Sequence, residues 1–374
     1  MTSATITTPP FRADQVGSLL RPSNLLEARE KRKRGEMSAA ELRHIEDEAI
    51  REVVRMQERL GMKSITDGEF RRGLWHMDFV CDFANVEQTP GIPIKFHSEQ
   101  GEIEWMPPGV KITGKLSRPH PIFVEDFKFL KSIASATPKI TIPSPSVLHF
   151  RGGRKAIDTT AYPDMDEFYA DLARVYSEEI RDLVDAGCRY LQVDEVNMAF
   201  LCDPNLRDFA RSLGEDPEKL PHTYAKLVNA ATAARHEDMT VCMHLCRGNA
   251  RSHWIADGGY EPVAEVLFNE FNIDGYFLEY DSSRAGDFSP LRFVPKGKTV
   301  VLGLVTTKKG ALENKSDIKR RIDEACKFVP VEQLALSPQC GFASNAEGNA
   351  LTVDQEKAKL QMIVEIATEV WGGI

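Results

Sequence analysis

Thr240-Val-Cys-Met-His-Leu-Cys246 is an apolar run that closes on a His-x-Cys pair. Valine, methionine and leucine in close succession read as a strand buried on both faces, the pattern of a parallel sheet. Side chains alternate along a strand, so His244 and Cys246 emerge on the same side of its end. An imidazole and a thiol placed together are two ligands suited to zinc. Two ligands do not complete a site, and the rest of the chain must supply the others.

The same unit recurs on both sides of that run. Ser38-Ala-Ala-Glu41 is a capping box opening a helix whose apolar residues Ile45, Ala49, Val53, Met56 and Leu60 share one face. That helix stops at Gly61, and Lys63-Ser-Ile-Thr-Asp-Gly-Glu69 follows as a short strand ending in acids. A helix over 165–186 stops at Gly187, and Tyr190-Leu-Gln-Val-Asp194-Glu195 repeats the pattern. Further helices near 223–235 and 261–271 lead into the strand at Val241 and into Asp274-Gly-Tyr-Phe-Leu-Glu279. Thr299-Val-Val-Leu-Gly-Leu-Val305 is nearly all apolar, a helix over 315–328 leads into Gln333-Leu-Ala-Leu-Ser-Pro-Gln-Cys340-Gly341, and a last helix begins at Val353.

Counted with Val16-Gly17-Ser18 and Lys139-Ile-Thr-Ile-Pro143, there are eight strands, near 16, 65, 141, 192, 243, 277, 302 and 336. Strands alternating with helices pair in parallel through right-handed crossovers. Eight units give an α/β fold of the (β/α)8 TIM-barrel type, with its active site at the C-terminal strand ends. A doubly wound sheet is the weaker reading, because no Gly-x-Gly-x-x-Gly turn follows the first strand. The stretch around 75–120 is rich in glycine and proline, and Val110-Lys-Ile-Thr-Gly-Lys-Leu116 alternates like an exposed antiparallel strand. It reads as an inserted β-hairpin region. Residues 1–15 read as a flexible N-terminal arm and 16–374 as the barrel.

Composition narrows the partners. A formal charge of -9 argues against nucleic acid and anionic membrane, and no apolar run reaches the roughly 18 residues of a membrane span. The Thr/Pro-rich start lacks the features of a signal peptide, which places the protein in the cytoplasm. Seven cysteines without a repeated spacing form no disulfide framework. Cys188, Cys242 and Cys326 fit as small buried hydrophobes, and Cys81 and Cys202 lean the same way. The basic run Arg29–Arg34 reads as a solvated helix face.

In a barrel, the polar residues that end the strands converge on one mouth: Ser18, Glu69, Asp194, His244, Cys246, Glu279 and Cys340. Closure brings the eighth strand near the first, so Cys340 reaches toward His244 and Cys246 while Glu279 supplies an oxygen. One imidazole, two thiolates and one carboxylate leave a zinc shell net negative, which favours exchange of the carboxylate for an incoming thiol. Zinc lowers that thiol's pKa, so the site suits alkyl transfer to sulfur better than hydrolysis. Each piece alone has a plainer reading, as core packing for the His-x-Cys pair or a salt bridge for Glu279. Their joint occurrence at strand ends outweighs it.

Val16-Gly17-Ser18, Asp67-Gly68-Glu69, Gln192-Val-Asp194-Glu195, His244-Leu-Cys246, Leu278-Glu279 and Gln339-Cys340-Gly341 resemble, in order, the catalytic C-terminal barrel of the cobalamin-independent methionine synthase family. The resemblance spans nearly the whole chain. It implies zinc held by His244, Cys246, Glu279 and Cys340, and homocysteine as methyl acceptor. It further implies that Asp194 and Glu69 hold the substrate ammonium and the Gly17-Ser18 turn its carboxylate.

Three departures fall where the methyl donor would bind. Phe150 stands where the family has a tryptophan, Thr306-Thr-Lys308 replaces its Asp-x-His, and Phe200 lies near the place of an expected acid. The pattern is similar to the short, single-barrel branch of the family, in which the donor is a methyltetrahydropteroylglutamate or a methylated corrinoid, free or protein-bound. That branch includes an epoxyalkane:coenzyme M transferase, the alternative reading. Retention of both Asp194 and Glu69 favours an amino-acid thiol, because unpaired carboxylates repel a sulfonate. A metal-free barrel lyase and a zinc-binding partner protein without chemistry of its own are the readings from other classes.

Overall fold

Residues 7–91, 93–99 and 101–374 are described by a computed structural model of the chain. Its strands are, in order, β1 (Ser64–Ile65), β2 (Ala84–Thr89), β3 (Ile94–Ser98), β4 (Gly101–Trp105), β5 (Gly109–Ser117), β6 (Thr137–Pro138), β7 (Ile140–Pro143), β8 (Tyr190–Glu195), β9 (Thr240–Leu245), β10 (Gly275–Glu279), β11 (Thr299–Val305) and β12 (Leu334–Pro338). Six of them form a parallel sheet in the order β12-β11-β10-β9-β8-β7. The stretch from Thr137 to Pro143 pairs with β1 along β6 and with β8 along β7. Every residue of β8, β10 and β12 is buried, which explains why these strands do not alternate between an apolar and a solvent-facing polar side.

Helices precede most of the strands and cover the outer face. Ser38 and Glu41 close the capping box ahead of helix Ala39–Arg59. Helix Met165–Asp185 is capped by Asp164 and buries Phe168, Leu172, Val175, Ile180 and Leu183. On the other face of the sheet, Tyr190, Cys242, Phe277, Val301 and Ala335, one from each of five successive strands, pack together with Val16. Cys242 is thus the small core residue expected of it. No helix among the described residues is long and apolar enough to cross a membrane.

The beginning of the chain departs from expectation. Residues 1–6 lie outside the described residues, but Pro10–Gln15, assigned to an arm, are buried. The Asp14 N–H donates to the Leu336 carbonyl and the Leu336 N–H to the Arg12 carbonyl, so the first extended segment lies beside β12. The pairing falls at residues 12–14, a few positions before Val16-Gly17-Ser18. Asp14 anchors it: its carboxylate accepts from Tyr190 Oη (2.7 Å), Ser64 Oγ (2.7 Å) and Lys139 Nζ (3.3 Å), with Asp14 and Lys139 fully buried. Asp14→Ala leaves that ammonium without its counter-charge, and a loss of about 3–5 kcal/mol is expected in denaturant unfolding. An unchanged midpoint and slope would show that Lys139 finds another partner.

The insertion is more elaborate than one hairpin. β2 pairs antiparallel with β5, and β3 with β4, as two separate ribbons. In β5 the buried residues are Ile112 and Leu116, each preceded by an exposed lysine, Lys111 and Lys115. The β3–β4 ribbon is tied to the β9–β10 loop by a bridge between His97 and Trp254. The basic run Arg29–Arg34 is solvent-facing except for Arg29, which folds back onto the Arg72 carbonyl (2.8 Å) and Glu46 (3.2 Å).

Candidate metal centre and substrate cavity

The alternation of β9 brings His244 and Cys246 out on one side, Glu279 ends β10, and Cys340 follows β12 by two residues. One ligand atom from each of these four residues lies within 4.8 Å of every other. All four are buried, Glu279 completely. The Cys246 and Cys340 sulfurs are 3.5 Å apart. Neither ring nitrogen of His244 has a hydrogen-bond partner among the described residues. A buried imidazole with both nitrogens unused is costly unless something occupies the space between these donors. The four residues can hold a metal ion.

Electrostatics splits the two thiols. The hydrogen bond with Cys246 holds the Cys340 thiol well below its usual range, and the same contact, reinforced by burial, pushes Cys246 well above it. Burial opposes charging His244, yet Cys340, Asp194 and Glu279 raise its pKa. Glu279 is raised by burial and then by Cys340. Its carboxylate is oriented by two donors, the Arg247 N–H (2.8 Å) and Arg284 Nη2 (3.2 Å). The Arg247 side chain was not anticipated from sequence. It is fully buried, stacks 4.5 Å from the centre of the Tyr260 ring, and its three nitrogens lack hydrogen-bond partners among the described residues. A cation beside Glu279 offsets the negative charge that ionised thiols and carboxylate would concentrate there.

The other predicted residues lie around the same cavity, whose wall includes Ser18, Glu69, Asp194, His244, Cys246 and Cys340. Gly17 and Glu279 stand behind that wall rather than in it. Gly17 has φ +141° and a Cβ there would meet Thr141 Cγ2 at 2.7 Å, so glycine is needed twice over. Gly341 lets Ser18 approach, since a Cβ on it would lie 1.9 Å from Ser18 Oγ. Glu69 sits in the left-handed region at φ 59°, an Asx turn from Asp67 (2.8 Å) supporting it, and its carboxylate accepts from Thr141 Oγ1 (2.9 Å) with Arg72 at 3.6 Å. Asp194 accepts from Gln192 Nε2 (2.6 Å). Burial, and then the charge of Glu69, push its carboxyl up to about 7. Glu69 is raised for the same first reason. Glu195 plays a different part, accepting from Ser146 Oγ (2.6 Å) and the Asn197 N–H (2.6 Å) and so holding the turn after β8.

Of the three departures, Phe200 lines the cavity, whereas Phe150 packs behind it at 6.0 Å from the Phe200 ring. Thr307 is a structural link, donating to Gln339 Oε1 (2.9 Å) and bonded to the Gly341 carbonyl (3.2 Å). Lys308 donates to Asn249 Oδ1 (3.1 Å), and Asn249 lines the cavity. Two further lining residues, His76 and Arg151, carried no motif that would have marked them.

With this geometry in view, the chain can be set beside known proteins. A family model described as "Cobalamin-independent synthase, Catalytic domain" matches residues 11–369. The uncharacterized protein YxjH of Bacillus subtilis is 50% identical over 366 residues, covering 97% of this chain and 95% of that protein. A methionine synthase of Saccharolobus solfataricus is 25% identical over 334 residues, covering 87% and 86%. A solved structure from Listeria monocytogenes, described as that of a candidate vitamin-B12-independent methionine synthase, superposes with a TM-score of 0.78 at 40% identity over 98% of this chain and all of that one. A B12-independent methionine synthase from a Shewanella species shares the fold, with a TM-score of 0.73 at 20% identity over 96% of this chain and 97% of that one.

Proposed function

The chain belongs to the family of cobalamin-independent methionine synthase catalytic domains, and from that premise we propose that it is a cytoplasmic, zinc-dependent S-methyltransferase that methylates homocysteine to methionine. The observation that carries the reading is the convergence of His244, Cys246, Glu279 and Cys340 within 4.8 Å. Two sulfurs, an imidazole nitrogen and a carboxylate oxygen are a donor set that zinc accepts. Sulfurs about 2.3 Å from a tetrahedral ion stand about 3.8 Å apart, close to the 3.5 Å separation here. The fold reading extends in the same way. Side-chain bonds from Ser64 to Asp14 and from Thr66 to the Gly17 carbonyl (both 2.7 Å) support closure of the parallel strands into a (β/α)8 barrel. So does the shared inner layer built on Val16.

When bound, zinc lowers the pKa of a substrate thiol so that it is presented as a thiolate near neutral pH. The chain's own residues do the positioning. Glu69 and Asp194, both on the cavity wall, take the substrate ammonium, which relieves the repulsion between the two carboxylates. Ser18 and the backbone of the Gly17-Ser18 turn take its carboxylate, Gly341 leaving room for the hydroxyl. The sulfur so oriented attacks the methyl carbon, the new sulfur–carbon bond forming as the bond to the donor breaks and its electron pair leaves with the donor. The two acids also separate this reading from the coenzyme M alternative, whose acceptor has no ammonium to pair with them.

The donor is a methyltetrahydropteroylglutamate or a methylated corrinoid. The test is direct: zinc-loaded protein and homocysteine are incubated with each donor in turn, and methionine is measured. One donor is expected to give turnover that a strong chelator removes and added zinc restores. Turnover that survives complete removal of metal would favour a metal-free barrel enzyme and end this reading.

A further inference from the structure

Arg151 is a cation with no carboxylate against it among the described residues. Among the described residues its one side-chain hydrogen bond is from Nη1 to His76 Nε2 at 3.2 Å. A guanidinium only donates, so Nε2 is the acceptor and the neutral His76 ring carries its proton on Nδ1. That Nδ1 is buried and has no partner among the described residues, in a side chain only 5% exposed. Both residues line the cavity that holds the sulfur pair, among the rings of Trp75, Phe96, Trp105 and Phe200. Arg151 also forms part of the wall of a neighbouring groove, whose other charged lining residues are Lys111 and Lys155, with Glu87 and Asp158 beside Lys111 outside the lining. One unmatched buried donor and a guanidinium without a carboxylate partner, set in an aromatic wall with two lysines further out, describe a receptor for a ring-bearing molecule whose negative end points away from the metal site.

We propose that Arg151 and His76 bind an oxyanion of the methyl donor, with the donor's apolar body on the aromatic wall and any further negative charge running toward Lys111 and Lys155. The inference rests on the methyl-transfer reading, since the ligand it describes is the second substrate of that reaction. It assigns specificity to residues outside the thiol-binding set. A carboxylate or a phosphodiester would satisfy the same donors, and the experiment tells them apart.

Two probe pairs are titrated against zinc-loaded protein by intrinsic tryptophan fluorescence: 5-methyltetrahydrofolate against its form with both carboxylates amidated, and methylcobalamin against methylcobinamide, which lacks the nucleotide loop with its phosphodiester, ribose and base. In one pair the anionic member is expected to bind about tenfold more tightly or better, the factor that one charge-assisted hydrogen bond supports. Arg151→Met should erase that preference, Arg151→Lys should keep part of it, and homocysteine affinity measured by calorimetry should stay within about twofold in both, because neither residue contacts the acid pair. Thermal melts confirm that the variants remain folded. Equal binding of the two members of each pair, a preference that survives Arg151→Met, or binding of no probe would each overturn the proposal. The methyl-transfer reading fails separately, by the absence of methionine, because these are binding measurements that need no turnover.

Discussion

Cys340→Ser is expected to purify without metal and to lose methyl transfer almost completely. The residue stands 3.5 Å from Cys246, and its hydrogen bond with Cys246 holds its pKa well below the usual thiol range. A serine hydroxyl in its place stays protonated and is a poor ligand, leaving one thiolate, an imidazole and a carboxylate. Removing even an outer-shell partner of a metal ligand costs about 10–100-fold in affinity or activity, so loss of a ligand should exceed that range in both. The control is Cys242→Ser, one strand residue from Met243 and packed in the inner layer with Phe277 and Val301. It should unfold at lower temperature yet keep its metal. Metal content by mass spectrometry separates the two outcomes. A Cys340→Ser protein with a full complement of zinc would remove the basis of the proposed chemistry.

Asp194→Asn is the second large effect, and it should appear in substrate affinity rather than metal content. If Asp194 and Glu69 hold the substrate ammonium in a buried wall, removing one charge costs at least about 2 kcal/mol, or about 30-fold in homocysteine affinity. The pH dependence follows from the same pair. Burial and Glu69 raise the free Asp194 carboxyl to about 7. An ammonium requires the ionised acid, so below that value the protein must release a proton before it binds. Homocysteine affinity should therefore fall as pH drops below neutrality and level off above it. In Asp194→Asn the fall should flatten, while zinc content stays unchanged. Calorimetry in buffers of different ionisation enthalpy would report the proton released. A variant that binds homocysteine as the parent does would move the ammonium site elsewhere.

Much of this was legible in the chain because the chemistry sits where strands end. His244, Cys246, Glu279 and Cys340 could be placed together from a repeating helix–strand pattern, since parallel strands point their C-terminal ends the same way. The 75–120 insertion was visible from the alternation of β5, and Ile94-Lys-Phe-His-Ser and Gly101-Glu-Ile-Glu-Trp105 alternate equally well, so its inner ribbon was readable too. What composition concealed was the first segment. Its Thr/Pro-rich start looks like a tail, yet Ala13 bridges to Leu336 of β12 and the Phe11 ring packs edge-on to Tyr190 of β8, both far along the chain. No local signal reports a contact of that kind. The same holds for His76, Arg151 and Arg247. Each is one charged or polar residue in an ordinary sequence setting, and only folding reveals that His76 and Arg247 are buried with unmatched nitrogens and that Arg151 lines the cavity beside His76.

The lateness of one pairing has its own consequence. The Arg12 guanidinium donates to the carbonyl of Leu334, 322 residues further along. A ribosome makes the chain from its N-terminal side, so Ala13 must wait until Leu336 has been made before its neighbour exists. Until then the nascent polypeptide carries an unpaired strand edge and an uncovered apolar stripe, the condition in which growing chains aggregate or recruit chaperones.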